Sequence, residues 1–571
     1  MTASKPVRRF FIQAVDGAFD LSRDAAVAPW CFVKADQNIP GWEQLLFEDP
    51  FGDEAELEVH AEACISLTHW LISQRVNEMN RRHSKNYSRQ YWSILLKPWL
   101  LMIVQYSWGH FKSLGNALAT LPDEEFEVQV APEISDWRFK DFGDLHNRGL
   151  MELEFAFWLN SLALAALKPE NCHLLQTPLS FRPPPRQSID PETGTQKLKT
   201  WIKSQIRMIT APGMNAAQRL FFSAVLSLAP RKPGRPLPKL AGDQPPPLFP
   251  KPFLRMLEVV IKTTEPHMLR AGYADLHRRA TRRNYDRGSL FVGLDLFTGV
   301  EDVFIAAHAE EAGARVVPMQ HGGNYGSAKI DIDAAEMEYC HEAFLTWGQS
   351  KHGDYPGRFV PLPSPKLSRF HRSHRERTAS LIFVTTQHRL LDLRPRAWPQ
   401  PTQWLEARRE KIDFFGRLDA EIHKSVKFRP YLDKEPNLDV ETYVICKWPN
   451  LDIAAGPLWD YLKTCRLLVL DHPGTTLNIA MAADVPTLCL WNDSAWPMTP
   501  EGQDTFDAFK ACGMLHGSAA GAADWVNANW ANIGDWWAAA ETRAAKERFT
   551  RDFAVSSRLW WWDWMSTLWK L

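Results

Sequence analysis

The 571-residue chain is 45% hydrophobic and 23% charged, and its 66 Lys and Arg against 67 Asp and Glu leave a formal net charge of -1. At about 100–200 residues per domain this length implies two to four domains with large cores. The even charge argues against a protein that binds by neutralising nucleic-acid phosphates. An aromatic fraction of 12%, with 25 Trp, excludes whole-chain disorder, because that much ring area must be buried or used at a surface.

Eight cysteines are scattered along the chain with no CxxC pair and no Cys/His cluster at metal-ligand spacing. Neither a zinc site nor a disulfide scaffold is expected, no metal or other cofactor is assigned, and a reducing, cytoplasmic setting fits best. Cys446 and Cys489 fall in apolar, strand-like runs, where a free Cys acts as a small buried hydrophobe.

In chain order, the basic start Met1–Arg9 is followed by too short and polar an apolar stretch for a signal peptide. Arg9–Val15 reads as a strand closed by Asp16-Gly17. From about Glu54 to Leu167 the spacing predicts long helices, with apolar residues three and four apart in Ala61–Val76 and Met151–Leu167. Ser93–Tyr106 is the best membrane-span candidate, but Lys97 and Pro98 interrupt it and it is shorter than the roughly 20 residues a span needs. The Pro-rich stretches Arg182–Pro191 and Pro230–Pro252 read as linkers or surface loops, with an amphipathic helix between them.

Beyond Pro252 strands and helices alternate. Ser289–Leu294, Val300–Gly313 and Arg315–Met319 read as one βαβ unit. A second series follows: strand Ser380–Thr385, helix Trp404–Ser425, strand Thr442–Lys447, helix Leu458–Thr464, strand Arg466–Leu470, helix Thr475–Ala483 and strand Pro486–Trp491. These strands are apolar along their length, which suits parallel sheets covered on both faces. The reading is an α/β chain of two Rossmann-like lobes joined near residue 375, with ligand at the carboxyl ends of the strands. The N-terminal lobe, 1–375, holds a helical insertion at about 54–180; the C-terminal lobe spans 376–540, and a Trp-rich helix fills 541–571. The run Leu559–Trp569 holds five Trp and reads either as a helix packed on the body or as an interfacial anchor.

The most specific segment is Met319-Gln320-His321-Gly322-Gly323-Asn324-Tyr325-Gly326, directly after a strand. Glycines there let backbone approach a ligand and form an anion-binding nest, and His321 at the strand end could act on a hydroxyl proton. A glycine-rich turn with a structural His is the competing reading. In Asp471-His472-Pro473-Gly474-Thr475-Thr476, a helix beginning at Gly-Thr-Thr offers N–H groups and a dipole to a phosphate, or Thr475 simply caps the helix. There is no GxxxxGK[ST], so a P-loop is excluded. Asp295, Glu301 and Asp302 lie at the same expected strand edge as His321, as candidate bases or nucleophiles. Lys447 reads as a strand-end phosphate partner, and His83 and Arg89 as weak acceptor-side candidates.

Several blocks together carry a resemblance. Asn80-x-x-His83, Ser88-Arg89-x-Tyr91-Trp92-Ser93-Ile94-Leu95-Leu96-Lys97-Pro98-Trp99-Leu100, Gln320-His321-Gly322-Gly323-x-Tyr325-Gly326, Thr475-Thr476, Val485-Pro486-Thr487 and Trp491-Asn492 resemble a Leptospira-type bacterial transferase family of lipopolysaccharide and surface-carbohydrate synthesis. The resemblance implies a GT-B architecture with the donor nucleotide in the C-terminal lobe. It also implies a distant similarity to the retaining Kdo transferases, which use a CMP-linked acidic sugar. By position, Asp302 or Glu301 becomes the nucleophilic carboxylate and His321 the acid/base or phosphate contact. Lys447-Trp448-Pro449 becomes the relatives' Lys-x-His-Pro phosphate block, while Gln320, Gly322, Gly323, His472, Gly474, Thr475 and Thr476 are read as donor or phosphate contacts from the loops themselves. The chain departs from the relatives at Trp448, where that block has His, and at Ile479, where the family usually has Glu.

The expected function is transfer of a sugar from a nucleotide-activated donor to a glycan or glycolipid acceptor, with no nucleic-acid partner. With no Asp-x-Asp pair identified at the cleft, it is expected to be metal-independent. The site is expected in the cytoplasm or peripheral to the inner face of the cytoplasmic membrane. The alternatives are a CDP-glycerol-type glycerophosphotransferase and a non-catalytic scaffold of a polysaccharide assembly complex.

Overall fold

The computed structural model describes residues 8–134, 136–177, 209, 211–232, 234–235, 244–387, 389–431 and 440–571. The stretch Arg182–Pro191 and part of Pro230–Pro252 lie outside the described residues. The chain is mixed α/β, as expected, and every strand ladder among the described residues is parallel.

The N-terminal strand β1 (Arg8–Phe11) lies between β2 (Ala25–Ala26) and β3 (Phe126–Val130), and β4 (Cys172–Gln176) follows β3. Between β2 and β3 run two long helices. The first, α1 (Glu54–His83), starts where Asp53 accepts from the Glu56 N–H and ends at Ser84 in a left-handed turn, with Arg81, Arg82 and His83 in its last turn. The second, α2 (Arg89–Thr120), starts at the Ser88 cap and is buried along most of its length. An all-round apolar helix belongs in a core, and α2 packs against α1, α3 (Leu153–Leu167), α5 (Lys251–Thr264) and α6 (Val300–Glu311), the helix α4 (Ala216–Ser227) preceding α5 in the chain. No single described helix is long and apolar enough to cross a membrane. The region expected to be helical thus also supplies β3 and β4, and Pro252 begins α5 instead of a loop, a position that spares the missing N–H.

Two further strands, β5 (Leu290–Val292) and β6 (Arg315–Val317), flank α6 in sequence, and β7 (Phe344–Thr346) pairs with β8 (Phe359–Pro361). The Leu345 N–H donates to Pro318 and the Gln320 N–H to Leu345, which joins β6 to β7 and carries the chain out to His321 at the carboxyl edge.

The last sheet comprises β9 (Leu381–Val384), β10 (Val426–Arg429), β11 (Asp452–Ile453), β12 (Leu467–Leu470), β13 (Thr487–Leu490) and β14 (Leu515–His516). Its order, β11-β10-β9-β12-β13-β14, is the doubly wound one, which reverses between β9 and β12. Two assignments here differ from the sequence reading. The helix expected over Trp404–Ser425 is α7 (Pro401–Arg417) plus a short turn Ala420–His423, so that β10 follows it. The strand expected over Thr442–Lys447 is a helix, α8 (Val440–Lys447), because Val440 and Val444, one turn apart, form a buried face where α8 meets α7. Cys446 is accordingly exposed, not a buried strand residue, whereas Cys489 is buried in β13.

After α9 (Thr475–Ala483), β13 and β14, helix α10 (Ala540–Phe553) leads the chain back to the earlier sheets. The Val555 N–H donates to Trp347, and α11 (Trp560–Lys570) buries Trp560, Trp564 and Leu568 in the core that holds β5, β6 and β7. A second seam joins Lys329 N–H to the Pro497 carbonyl and Thr499 N–H to Ser327.

Candidate functional site

A cleft of ≈ 450 Å³ opens where β9 and β12 end, facing the loop that follows β6. His321, Gly322 and Gly323 form one wall and His472, Gly474, Thr475 and Thr476 the other. Beside it lies a second cavity of ≈ 470 Å³ bounded by Arg429, Pro430 and Leu458, with Tyr431, His472 and Thr476 shared between the two. This is the crevice that a doubly wound sheet offers a ligand at its switch point.

At the N-terminus of α9 the capping residue is Gly474, and no side chain caps the helix. Thr475 is therefore not the cap. Its hydroxyl instead accepts the Gly323 N–H at 2.8 Å, which ties the two walls together. A Cβ on Gly323 would sit 2.6 Å from Gly474 C and Thr475 N, so only glycine allows this approach. His472 is oriented by Asp471 at 2.8 Å, and Asp471 is in turn held by Lys411 at 2.8 Å and by the Thr386 N–H. Burial works to raise the Asp471 carboxyl, but Lys411 and His472 pull it well below the usual carboxylate range, so it is ionised in the folded protein.

On the opposite wall the His321 ring is half exposed to the cleft, 3.1 Å by Nδ1 from the Tyr325 hydroxyl. That hydroxyl donates to the buried Glu338 carboxyl at 2.9 Å. Burial pushes Glu338 well above its usual range and favours its protonated form. Burial also lowers His321, against the opposing pull of Asp295 and Asp331, so the neutral imidazole dominates near pH 7. Neutral imidazole held by a second group is the arrangement of a general base and its orienting partner. Next to it Asn324 adopts a left-handed φ of 72°, and its buried amide oxygen has no hydrogen-bond partner among the described residues.

Several expected site residues do other work. Asp302 accepts the Asp295 N–H at 3.0 Å within the first turn of α6, and Glu301 pairs with Arg279 at 3.1 Å; neither lines the cleft. Asp295 accepts from the Phe297 and Thr298 N–H groups and acts on His321 only as a nearby charge. The Gln320 side chain is wholly buried and occupied by Gly322, Trp347 and Gln349, so it braces the loop. His83 stacks on Tyr273 at 4.0 Å and bonds the Leu269 carbonyl, and Arg89 donates to Ser73, both away from the cleft.

Lys447 is exposed at the end of α8 and does not line either cavity, because the run before it is helical. At the end of β10, Arg429 and Pro430 of the segment Lys427-Phe428-Arg429-Pro430 do line the second cavity. Arg429 is buried and has no carboxylate partner among the described residues. Trp448 packs beneath α7 near Gly416, and Ile479 is half buried against the core.

Sequence reasoning also missed the loop after β9. Arg389 and Arg396 line the cleft, with their guanidinium carbons 5.1 and 3.7 Å from the Trp398 ring centroid. Arg389 makes no ion pair among the described residues, whereas Arg396 pairs with Asp392 at 3.3 Å. The loop has no helical or alternating period, but three Arg within eight residues after the first strand of a doubly wound sheet was a readable signal. An Asp-x-Asp pair, Asp331-Ile332-Asp333, also stands on the cleft wall, contrary to the sequence reading. Asp333 is engaged by Arg394 at 2.6 Å and by Gln105, and no cluster of three or more metal-ligating side chains occurs among the described residues.

The model of the LIC12162 family transferases matches residues 12–568. The chain belongs to the LIC12162 transferase family. No curated protein matches it. Among solved structures, this LIC12162-family transferase is similar to an O-GlcNAc transferase mutant of Thermobaculum terrenum, at 12% identity over 90% of this chain and 98% of that one, with a TM-score of 0.30.

Proposed function

We propose that this LIC12162-family transferase is a GT-B-type glycosyltransferase that moves a sugar from a nucleotide-activated donor to a precursor of a bacterial surface polysaccharide or lipopolysaccharide. One observation carries the reading: a neutral, oriented His321 faces an uncapped helix start flanked by Arg389 and Arg429, two guanidiniums without carboxylate partners among the described residues. The N–H groups of Thr475 and Thr476 and the positive end of α9 receive a donor phosphate. Arg429 and Arg389 offset the charge that grows on it as the anomeric C–O bond breaks. The acceptor hydroxyl oxygen attacks the anomeric carbon while His321 takes its proton. The unpaired Asn324 amide oxygen offers a partner for a sugar hydroxyl. The Arg389–Arg396 pair on Trp398 suits a sugar carboxylate, which supports a CMP-linked acidic donor.

The test is turnover. Purified protein with a lipid or glycan acceptor extract is expected to free nucleotide from one class among CMP-, UDP-, GDP- and dTDP-sugars, CMP first. Release from none of them would overturn the proposal, and CMP release from CDP-glycerol would replace it with glycerophosphotransfer.

A further inference from the structure

Exposed apolar side chains are concentrated on one face. Of the fourteen large apolar residues that face solvent among the described residues, seven lie on α4 and α11 or at their ends. Leu220, Phe221 and Leu228 belong to the α4 side. Leu559, Trp561, Trp562 and Trp569 belong to α11, with Trp562 59% exposed. The two helices are bound to each other through Phe222, whose ring lies 6.0 Å from Trp560 and 6.3 Å from Trp564. The inward face of α11 is thus already satisfied, and Trp561 and Trp562 are left over.

The rim of this face is basic. Arg219 lies on α4, Arg231 and Lys232 follow it, and Arg558 and Lys570 bracket α11, all exposed. The Lys232 ammonium contacts the Lys570 carbonyl, so the two ends of the rim meet. The acidic groups facing it are Asp563 on α11 and Asp286, which Arg231 pairs at 2.7 Å. Trp favours the headgroup level of a bilayer, and a basic margin favours anionic headgroups. A second copy docked about a two-fold axis would instead bring two basic rims together.

We propose that the α4–α11 face is a docking surface for an anionic lipid bilayer, on which α11 lies in the interface plane. The direction of α11 fits this placement to the cleft. Trp564 near its start donates to the Pro363 carbonyl just beyond β8, and its last carbonyl, on Leu571, accepts from Arg315 at the beginning of β6. The helix therefore runs against the strands, and Trp561 and Trp562 lie toward the carboxyl edge that carries His321.

The experiment is co-sedimentation of the full chain with phosphatidylcholine vesicles and with equimolar phosphatidylcholine–phosphatidylglycerol vesicles. The wild-type protein is expected to pellet with the anionic vesicles and to be released by salt, and Trp561→Ser/Trp562→Ser to partition about tenfold more weakly. Arg558→Glu is expected to lose the preference for anionic over neutral vesicles. Nucleotide binding by the same variants checks that they are folded. Wild-type protein that stays in the supernatant would overturn the proposal, as would folded Trp variants that pellet like wild type. Self-association that the Trp variants abolish, without vesicle binding, would assign the face to a second copy instead.

Discussion

His321→Ala is expected to lower the rate of sugar transfer by about a hundredfold to ten-thousandfold, the usual contribution of a positioned general base, while leaving the fold intact. The side chain is half exposed to the cleft and meets the Tyr325 hydroxyl, the Phe297 ring, the Met319 backbone and, at 3.7 Å, Glu338, so its loss opens no core cavity. The pH profile supplies the second readout. Burial lowers the folded-state value of His321 below 6.5, so the base form is present at neutral pH and wild-type activity falls only as the pH drops below that range. The variant's residual rate is expected to lack this acidic limb. Tyr325→Phe, which removes the orienting hydroxyl, is expected to slow transfer less and to move the limb. Full activity of His321→Ala would remove the histidine from the chemistry.

Lys97→Met is expected to destabilise the protein by about 3–5 kcal/mol, the cost of stranding one partner of a buried ion pair. Lys97 on α2 lies 2.7 Å from Glu336, which His69 on α1 also reaches at 2.6 Å, and all three are largely buried. Burial by itself would raise the Glu336 carboxyl, but Lys97 and His69 bring it down to about 2. Since the folded value lies below the unfolded one, this contribution is present above about pH 4.5 and is lost as the pH falls toward 2. Urea denaturation of wild type at pH 7 and pH 3 should show that loss, and Lys97→Met should show less of it. The double variant Lys97→Met/Glu336→Gln should recover part of the stability, because no charge is left unpaired. An unchanged midpoint for the single variant would show that the triad contributes nothing. The triad also has a positional consequence, since Glu336 belongs to the segment that carries Asp331 and Glu338 behind His321.

That triad shows where sequence reading stops. In the sequence Lys97 is only a charge interrupting an apolar stretch; its partner lies 239 residues away and no period points to it. The same holds for Tyr325 and Glu338, whose separation of 13 residues crosses an irregular turn. What could be read was local. Gly474-Thr475-Thr476 follows a fully apolar strand and opens a nine-residue helix, so its position follows from neighbouring residues. The Met319–Gly326 loop was legible for the same reason. Thr442–Lys447 failed because a run of six residues, three of them β-branched, fits a strand or a helix equally well until Val440 and Val444 meet α7. That error left the expected phosphate block, Lys447–Pro449, at the end of a helix away from the cleft. The carboxylates are placed otherwise than expected: Asp302 is a first-turn residue favoured by the helix N-terminus, and it accepts a hydrogen bond from the Asp295 N–H.

The cleft between His321 and the start of α9 is proposed to hold an anionic, nucleotide-activated donor. The most direct test of this is a thermal-shift titration of CMP, CDP, UDP, GDP and dTDP into wild type and Arg389→Ala. A ligand that binds only the native state raises the apparent stability. The account expects a selective shift with one nucleotide, CMP first, and about tenfold weaker binding once the Arg389 guanidinium is gone. No shift with any nucleotide in folded wild-type protein, or a shift that Arg389→Ala leaves untouched, would contradict it.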